Sequence, residues 1–241
     1  MYAVLTVSRY PSKFIYFAIC SMALFRIPLS GKKDIIFSKL MGCGKNGTFD
    51  IHPDWNQWAV LIFTKIKPDI SSLRADPVSG LSAIYGTFIA NWWKRFKCET
   101  WTIVLELKEG HGSWNGVKLK PEPNTNNIQE GPVAVLTRAT IRLQKLPDFW
   151  KNVAPVASQM EHADGLIASL GIGEMPFIRQ ATFSIWKSLD DMKKFAYTMH
   201  EHREVIKKTR KEKWYSEDMF LRFSPLFTQG SIRGLNIFPT D

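Results

Sequence analysis

At 241 residues with 45% hydrophobic and 22% charged side chains, the chain can bury a sizeable core, and its composition excludes both disorder and a multi-span membrane protein. Three cysteines, Cys20, Cys43 and Cys98, with no C-x-x-C pair give no support to a disulfide framework, a zinc site or covalent c-type haem attachment, and fit a reducing cytoplasm. A net charge of +10 favours an anionic partner. No zinc finger, Arg/Gly-rich arm or RNP-like motif accompanies it, so an anionic membrane surface is the better match and no nucleic-acid partner is expected.

Taken in chain order, period-2 apolar runs predict strands at residues 3–9, 35–41, 58–65 and 100–108, with 3.6-period helices at 12–25 and 81–96. The apolar run from Phe14 to Phe25 spans about a dozen residues, short of the roughly 20 of a membrane span. It reads as a buried or membrane-touching helix, with a signal peptide as the alternative. Residues 118–130 carry two Pro and three Asn, the composition of an exposed linker. Beyond it, strands are expected at 133–143, 165–172, 181–187 and 220–227, and helices at 147–160 and 189–213. Pro147 suits a first helical turn, and Ser188 with Asp191 resembles a capping box.

The chain also repeats itself. Val4-Leu5-Thr6 returns as Val135-Leu136-Thr137, Leu40-Met41-Gly42-Cys43-Gly44 as Leu170-Gly171-Ile172-Gly173, and Gly112-Ser113-Trp114-Asn115-Gly116 as Gly230-Ser231-Ile232-Arg233-Gly234. An ordered set of this kind marks an internal duplication. Each half reads strand, helix, strand, strand, helix, strand, the ferredoxin-like order. The fold class expected is therefore α+β: two tandem ferredoxin-like halves, 1–117 and 131–241, joined by the linker 118–130 and packed as one intrachain dimeric α/β barrel.

Chemistry concentrates on the helix expected from Leu189. Met192, Phe195, Met199, His202 and Ile206 advance by 3 or 4 residues and form one inward stripe, whereas His200 lies about 200° around from His202. A neutral imidazole in an apolar stripe suits a haem iron, and it equally suits a core histidine bonded to a carbonyl. The following Lys207, Lys208, Arg210, Lys211 and Lys213 could meet haem propionates or lipid phosphates, or form a solvated helix end. Arg138 and Arg142, on the strand from Val133, could polarise bound oxygen if buried and are ordinary strand cations if exposed. Gly42 to Gly47 lacks the phosphate-loop spacing and reads as a turn, as does Gly110 to Gly116 around His111.

One resemblance extends over most of the chain. The string Gly131 to Arg142 followed by Phe149-Trp150, then Gly171-Ile172-Gly173-Glu174, Ala181 to Trp186, His202-Arg203-Glu204-Val205-Ile206, Trp214 to Glu217 and Phe220 to Phe223 resembles the C-terminal half of spheroidene monooxygenases. Phe37 to Leu40, Gly42-Cys43-Gly44 and Trp58-Ala59-Val60 resemble the N-terminal half. The resemblance implies a haem b enzyme that hydroxylates and then ketolates a linear carotenoid with O2 and electrons from a ferredoxin-type donor. It implies His202 as the iron ligand; with that haem in place, the inward stripe and the strand from Val133 put Met199, Phe195, Ile206 and Arg142 around it and make Arg138 the candidate catalytic residue. Two other readings fit the same residues: a haem lyase resembling aldoxime dehydratases, and a non-enzymatic haem or lipid carrier at the membrane surface. The place expected is the cytoplasm or the inner face of its membrane.

Overall fold

The computed structural model describes residues 1–45, 50–122, 131–198, 208–209 and 211–233. Eight strands lie among them: β1 (Tyr2–Arg9), β2 (Ile35–Gly44), β3 (Pro53–Thr64), β4 (Glu99–Gly112), β5 (Val133–Ile141), β6 (Leu166–Met175), β7 (Arg179–Trp186) and β8 (Tyr215–Gly230). Hydrogen bonding links them in the order β1-β3-β2-β6-β7-β5-β8-β4 and closes, giving an eight-stranded barrel. The helices are α1 (Ile15–Leu24), α2 (Arg26–Ser30), α3 (Ile70–Ala75), α4 (Pro77–Tyr85), α5 (Thr87–Arg95), α6 (Leu146–Glu161) and α7 (Leu189–Thr198). The chain is mixed α+β, as expected from its alternation of periods.

Two compact units are distinguished, the first formed by Met1–Gly42, Asp54–Glu106 and the chain from Pro225, the second by Cys43–Pro53 and Leu107–Ser224. In the first unit β1 is central, antiparallel to β3 and to β4, with Thr6 opposite both Val60 and Thr102. Alternation puts Val4 and Thr6 on one face of β1, where Val4, Val60, Ile62 and Val104 pack against Tyr85 and Trp93 of the helices. Tyr85, 0% exposed, closes over this face, its hydroxyl 2.9 Å from Thr6 Oγ1.

The single helix expected at 81–96 is three short ones over 70–95. Asp69 caps α3 through the backbone N–H groups of Ser71 and Ser72, and Asp76 caps α4 through Val78 N–H with Pro77 at its first turn. Gly86, at φ +94°, then turns the chain into α5.

The second unit repeats the pattern with β5 central, antiparallel to β7 and β8, and β6 outside β7. On the helix-facing side, Val133 and Val135 pack with Trp186 against Phe195 of α7. Further along β5, Ile141 packs with Phe149 of α6 and Trp214. Burial of these apolar faces, worth roughly 25 cal/mol per Å2, holds the helices on the sheet.

Two glycines of the repeat end strands in the same way. Gly112 closes β4 at φ +80°, where an added Cβ would strike the Asp218 carbonyl; Gly230 closes β8 at φ +83°, where it would strike the Thr100 carbonyl. The next residue donates to that same carbonyl in both places, Ser113 N–H at 2.9 Å and Ser231 N–H at 3.1 Å. Gly42 to Gly44, expected as a turn, instead end β2, and Gly110 to Gly112 belong to β4. Only the segment beyond Gly112 turns, with Trp114 and Val117 bridged.

Candidate active site

Residues 133, 135, 137, 139 and 141 share one face of β5. The helices cover the two ends of that row, at Val133 and Val135 and again at Ile141. Between them Thr137 is exposed and Ala139 half-buried. The registers extend this opening sideways: Thr137 lies opposite Thr182 and Phe220, and Gly171 lies opposite Thr182. One row further, Gly173, Gln180, Ala139 and Asp218 stand side by side.

The result is a strip across four strands whose floor is mostly Gly, Ala and Thr, flanked by apolar clusters. Small side chains at adjacent positions on neighbouring strands let a flat group approach the backbone closely. Bulky β-branched or aromatic residues in those places would close the strip.

Two charged groups face the same side, Arg222 and, beside Ala139, Asp218, and neither was singled out from the sequence. Arg222 lies opposite Val135 in the β5–β8 register, is only 7% exposed, and its Nε donates to Glu109 Oε2 at 2.9 Å. Burial opposes ionisation of Glu109, but Arg222 and His111 beside it outweigh that and hold its carboxyl below the usual range. The signal for Arg222 was the alternation Met219, Leu221, Phe223, three buried residues on the opposite face.

The residues named from the sequence separate. Phe195 is buried against Trp186, ring centroids 5.2 Å apart, and Met192 packs on the same cluster, so the first members of the α7 stripe do face the sheet. Asp191 N–H donates to Ser188 Oγ at 3.1 Å, which starts α7 where the capping residues put it. Met199, His200, His202 and Ile206 lie outside the described residues, as do Lys207 and Arg210. Lys208 and Thr209 are helical, and Lys208 Nζ stands 5.6 Å from the Trp214 ring. Among the described residues, no group of three His, Cys, Asp or Glu could hold a metal ion.

Arg138 is not on the strip. Its even position puts it on the face of β5 away from α6 and α7, 3% exposed, with Nη1 2.6 Å from Glu217 Oε2 and Nη2 3.2 Å from Glu174 Oε2. Its guanidinium lies over the Trp114 ring at 5.5 Å, and Trp114 Nε1 donates to Glu174 at 2.8 Å. Glu217 also accepts from Ser113 Oγ and from the N–H groups of Asn115 and Gly116. Burial alone would raise its pKa, but these donors and Arg138 outweigh it and hold the carboxyl at about 2. This cluster ties β5, β6 and β8 to the turn after β4, and it leaves the buried Arg138 Nε without a hydrogen-bond partner among the described residues. Arg142 lies one residue past β5, exposed, its N–H bonded to the Trp214 carbonyl.

A closed eight-stranded α+β barrel is an architecture shared with solved structures. Two aldoxime dehydratase structures match over 93% of this chain with a TM-score of 0.56 at 9% and 8% identity, a likeness of fold alone. No family model matches the sequence. Curated relatives identify it more closely. The chain is 32% identical over 221 residues to a spheroidene monooxygenase of Rhodobacter capsulatus, covering 90% of this chain and 86% of that one. It is 32% identical over 210 residues to a spheroidene monooxygenase of Rubrivivax gelatinosus, covering 86% and 75%. The chain belongs to the spheroidene monooxygenase family.

Proposed function

We propose that the chain is a haem-dependent monooxygenase that hydroxylates, and then oxidises to the ketone, a linear carotenoid or similar polyene. The observation that carries this reading is the small-residue strip of Gly171, Gly173, Thr182, Thr137 and Ala139, with Thr137 exposed and with Gln180, Asp218, Phe220 and Arg222 along it, in a member of this family. Haem, when bound, supplies the redox-active iron that dioxygen activation requires.

The chain's own residues have distinct parts in this reading. His202, next but one in the stripe begun by Met192 and Phe195, holds the iron through a neutral imidazole. The small floor admits the ring face, Phe220 walls one side, and Arg222 offers a fixed positive charge to negative charge that develops on oxygen. Electrons come from a ferredoxin-type donor, two per oxygen atom inserted, with the second oxygen leaving as water.

Haemin titration of the purified chain tests the reading. A Soret band is expected that is lost in His202→Ala and kept in His200→Ala. With dioxygen and reduced ferredoxin, a linear carotenoid should then gain keto absorption. No Soret shift on haemin addition, or carotenoid conversion undiminished without haem, overturns it. Anaerobic turnover of an aldoxime would favour lyase chemistry of the kind the structural neighbours are named for.

A further inference from the structure

A second feature lies on the first unit, on helices that the proposed chemistry does not use. Helix α1 carries no charged side chain. Its inward stripe is Ala18, Ser21, Phe25 of the junction and Leu29 of α2, all buried. Its outward side is equally apolar: Tyr16 is 79% exposed and Ile27 is 73% exposed, with Phe17, Ile19, Cys20 and Leu24 exposed between them. A surface helix ordinarily turns polar residues outward, and one that is apolar all round is ordinarily covered on both sides.

Helix α5 continues the same face. Phe17 stacks on Phe96 with centroids 4.4 Å apart, Phe25 meets Trp92 at 5.9 Å, and Phe88 beside them is exposed. A depression lined by Thr87, Phe88, Asn91, Trp92, Arg95 and Phe96 opens there.

The charge around this face is mostly of one sign. Residues 12–33 contain Lys13, Arg26, Lys32 and Lys33, and residues 77–98 contain Lys94, Arg95 and Lys97, with no Asp or Glu inside either stretch; Asp34, Asp76 and Glu99 adjoin them, and Asp76 feels the charge of Lys94. An apolar centre with aromatic edges and a rim of cations is the pattern of a segment lying in the headgroup layer of an anionic bilayer. Seven cations against three adjoining carboxylates leave a net basic rim, which suits an anionic lipid surface better than the mixed-charge rim of a protein partner.

Length and composition alone would let residues 12–30 cross a membrane. The packing argues against it. Ala18, Ser21, Phe25 and Leu29, spread along that stretch, are all buried, and Phe25 is locked at 5.8 Å from Trp93 in the core of the unit.

We infer that the outward face of α1, α2 and α5 docks on the surface of an anionic phospholipid bilayer, with Tyr16, Phe17, Ile27 and Phe88 inserted at the headgroup level. This inference stands on the face itself and is independent of the haem reading.

Co-sedimentation of the full chain with vesicles tests it. Phosphatidylcholine vesicles containing phosphatidylglycerol should pellet the protein, and pure phosphatidylcholine should pellet roughly tenfold less. Tyr16→Ser with Ile27→Ser, and separately Lys94→Glu with Arg95→Glu, should each weaken binding roughly tenfold or more. These positions are exposed, and unchanged circular dichroism confirms each variant is folded. Absence of binding to either vesicle overturns the inference, as does binding that survives both double substitutions. Self-association of the wild type that Ile27→Ser abolishes, without vesicle binding, overturns it in favour of a second copy.

Discussion

Thr6 and Thr137 occupy the same place in the two halves of the repeat, and only Thr6 is covered. Thr6 is wholly buried, bonded to Tyr85 Oη at 2.9 Å and to Thr102 Oγ1 at 2.8 Å, while Thr137 is exposed on the equivalent face of the equivalent strand. The first half spends this face on a filled core, and the second leaves it open.

That contrast makes a paired prediction. Thr137→Phe should leave the melting temperature within a few degrees of wild type, because nothing packed is disturbed, and should abolish haemin uptake by filling the strip. Thr6→Val should cost roughly 1–3 kcal/mol through the partners left unpaired, and should leave haemin uptake intact. Thermal melts and Soret titrations read both. Haemin uptake undiminished in Thr137→Phe would place the haem elsewhere.

Arg222 offers a kinetic test. Arg222→Gln should keep the Soret band while lowering carotenoid oxygenation on the order of a hundredfold, the scale of losing one preorganised donor. An oxygenation rate equal to wild type, with the fold intact, would reduce Arg222 to the partner of Glu109.

The Arg138 cluster makes a pH prediction. Glu217 is held at about 2, below its ordinary value near 4.5. A depressed carboxyl stabilises the fold above its unfolded pKa and loses that contribution as pH falls from about 4.5 toward 2. Glu217→Gln should therefore be less stable than wild type at pH 7, by about 1–2 kcal/mol after allowance for solvent screening. The difference should narrow steadily at acid pH. Arg138→Met should cost more, about 3–5 kcal/mol, because it strands two carboxylates near a buried site. Chemical denaturation at several pH values measures this, and a wild-type to Glu217→Gln gap constant down to pH 2 would refute the assignment.

The strands were legible because period-2 runs with Gly-marked ends leave few alternatives. The breaks over 70–95 were also written in the sequence, as Asp69 ahead of Ser71 and Ser72, Asp76 ahead of Pro77, and Gly86, but an apolar 3.6 period masked them. The site was less legible. Alternation puts Arg138 on the face opposite Val135, Thr137 and Ala139, and Arg222 on the face opposite Leu221 and Phe223, but which face lies under the helices is known only once the strands are paired. Which carboxylates meet Arg138 depends on β6 and β8 flanking β7 and β5, at separations of 36 and 79 residues. Helix α1 read as buried or membrane-touching because its two sides are both apolar, and the fold buries one side and leaves the other exposed.

The glycines of the repeat separate two costs that usually occur together. Gly112 and Gly116 have nearly the same backbone, φ +80° and +77°, but a Cβ at Gly112 meets the Asp218 carbonyl whereas one at Gly116 meets open space. Gly116→Ala should therefore cost only the left-handed strain, roughly 1–2 kcal/mol. Gly112→Ala should cost that and the displacement of β8 as well, on the order of 3 kcal/mol or more. Gly230→Ala should match Gly112→Ala, since its Cβ meets the Thr100 carbonyl in the same way. Urea denaturation of the three variants checks the order. If Gly112→Ala and Gly116→Ala proved equally stable, close strand approach would have no part in keeping glycine at the ends of β4 and β8.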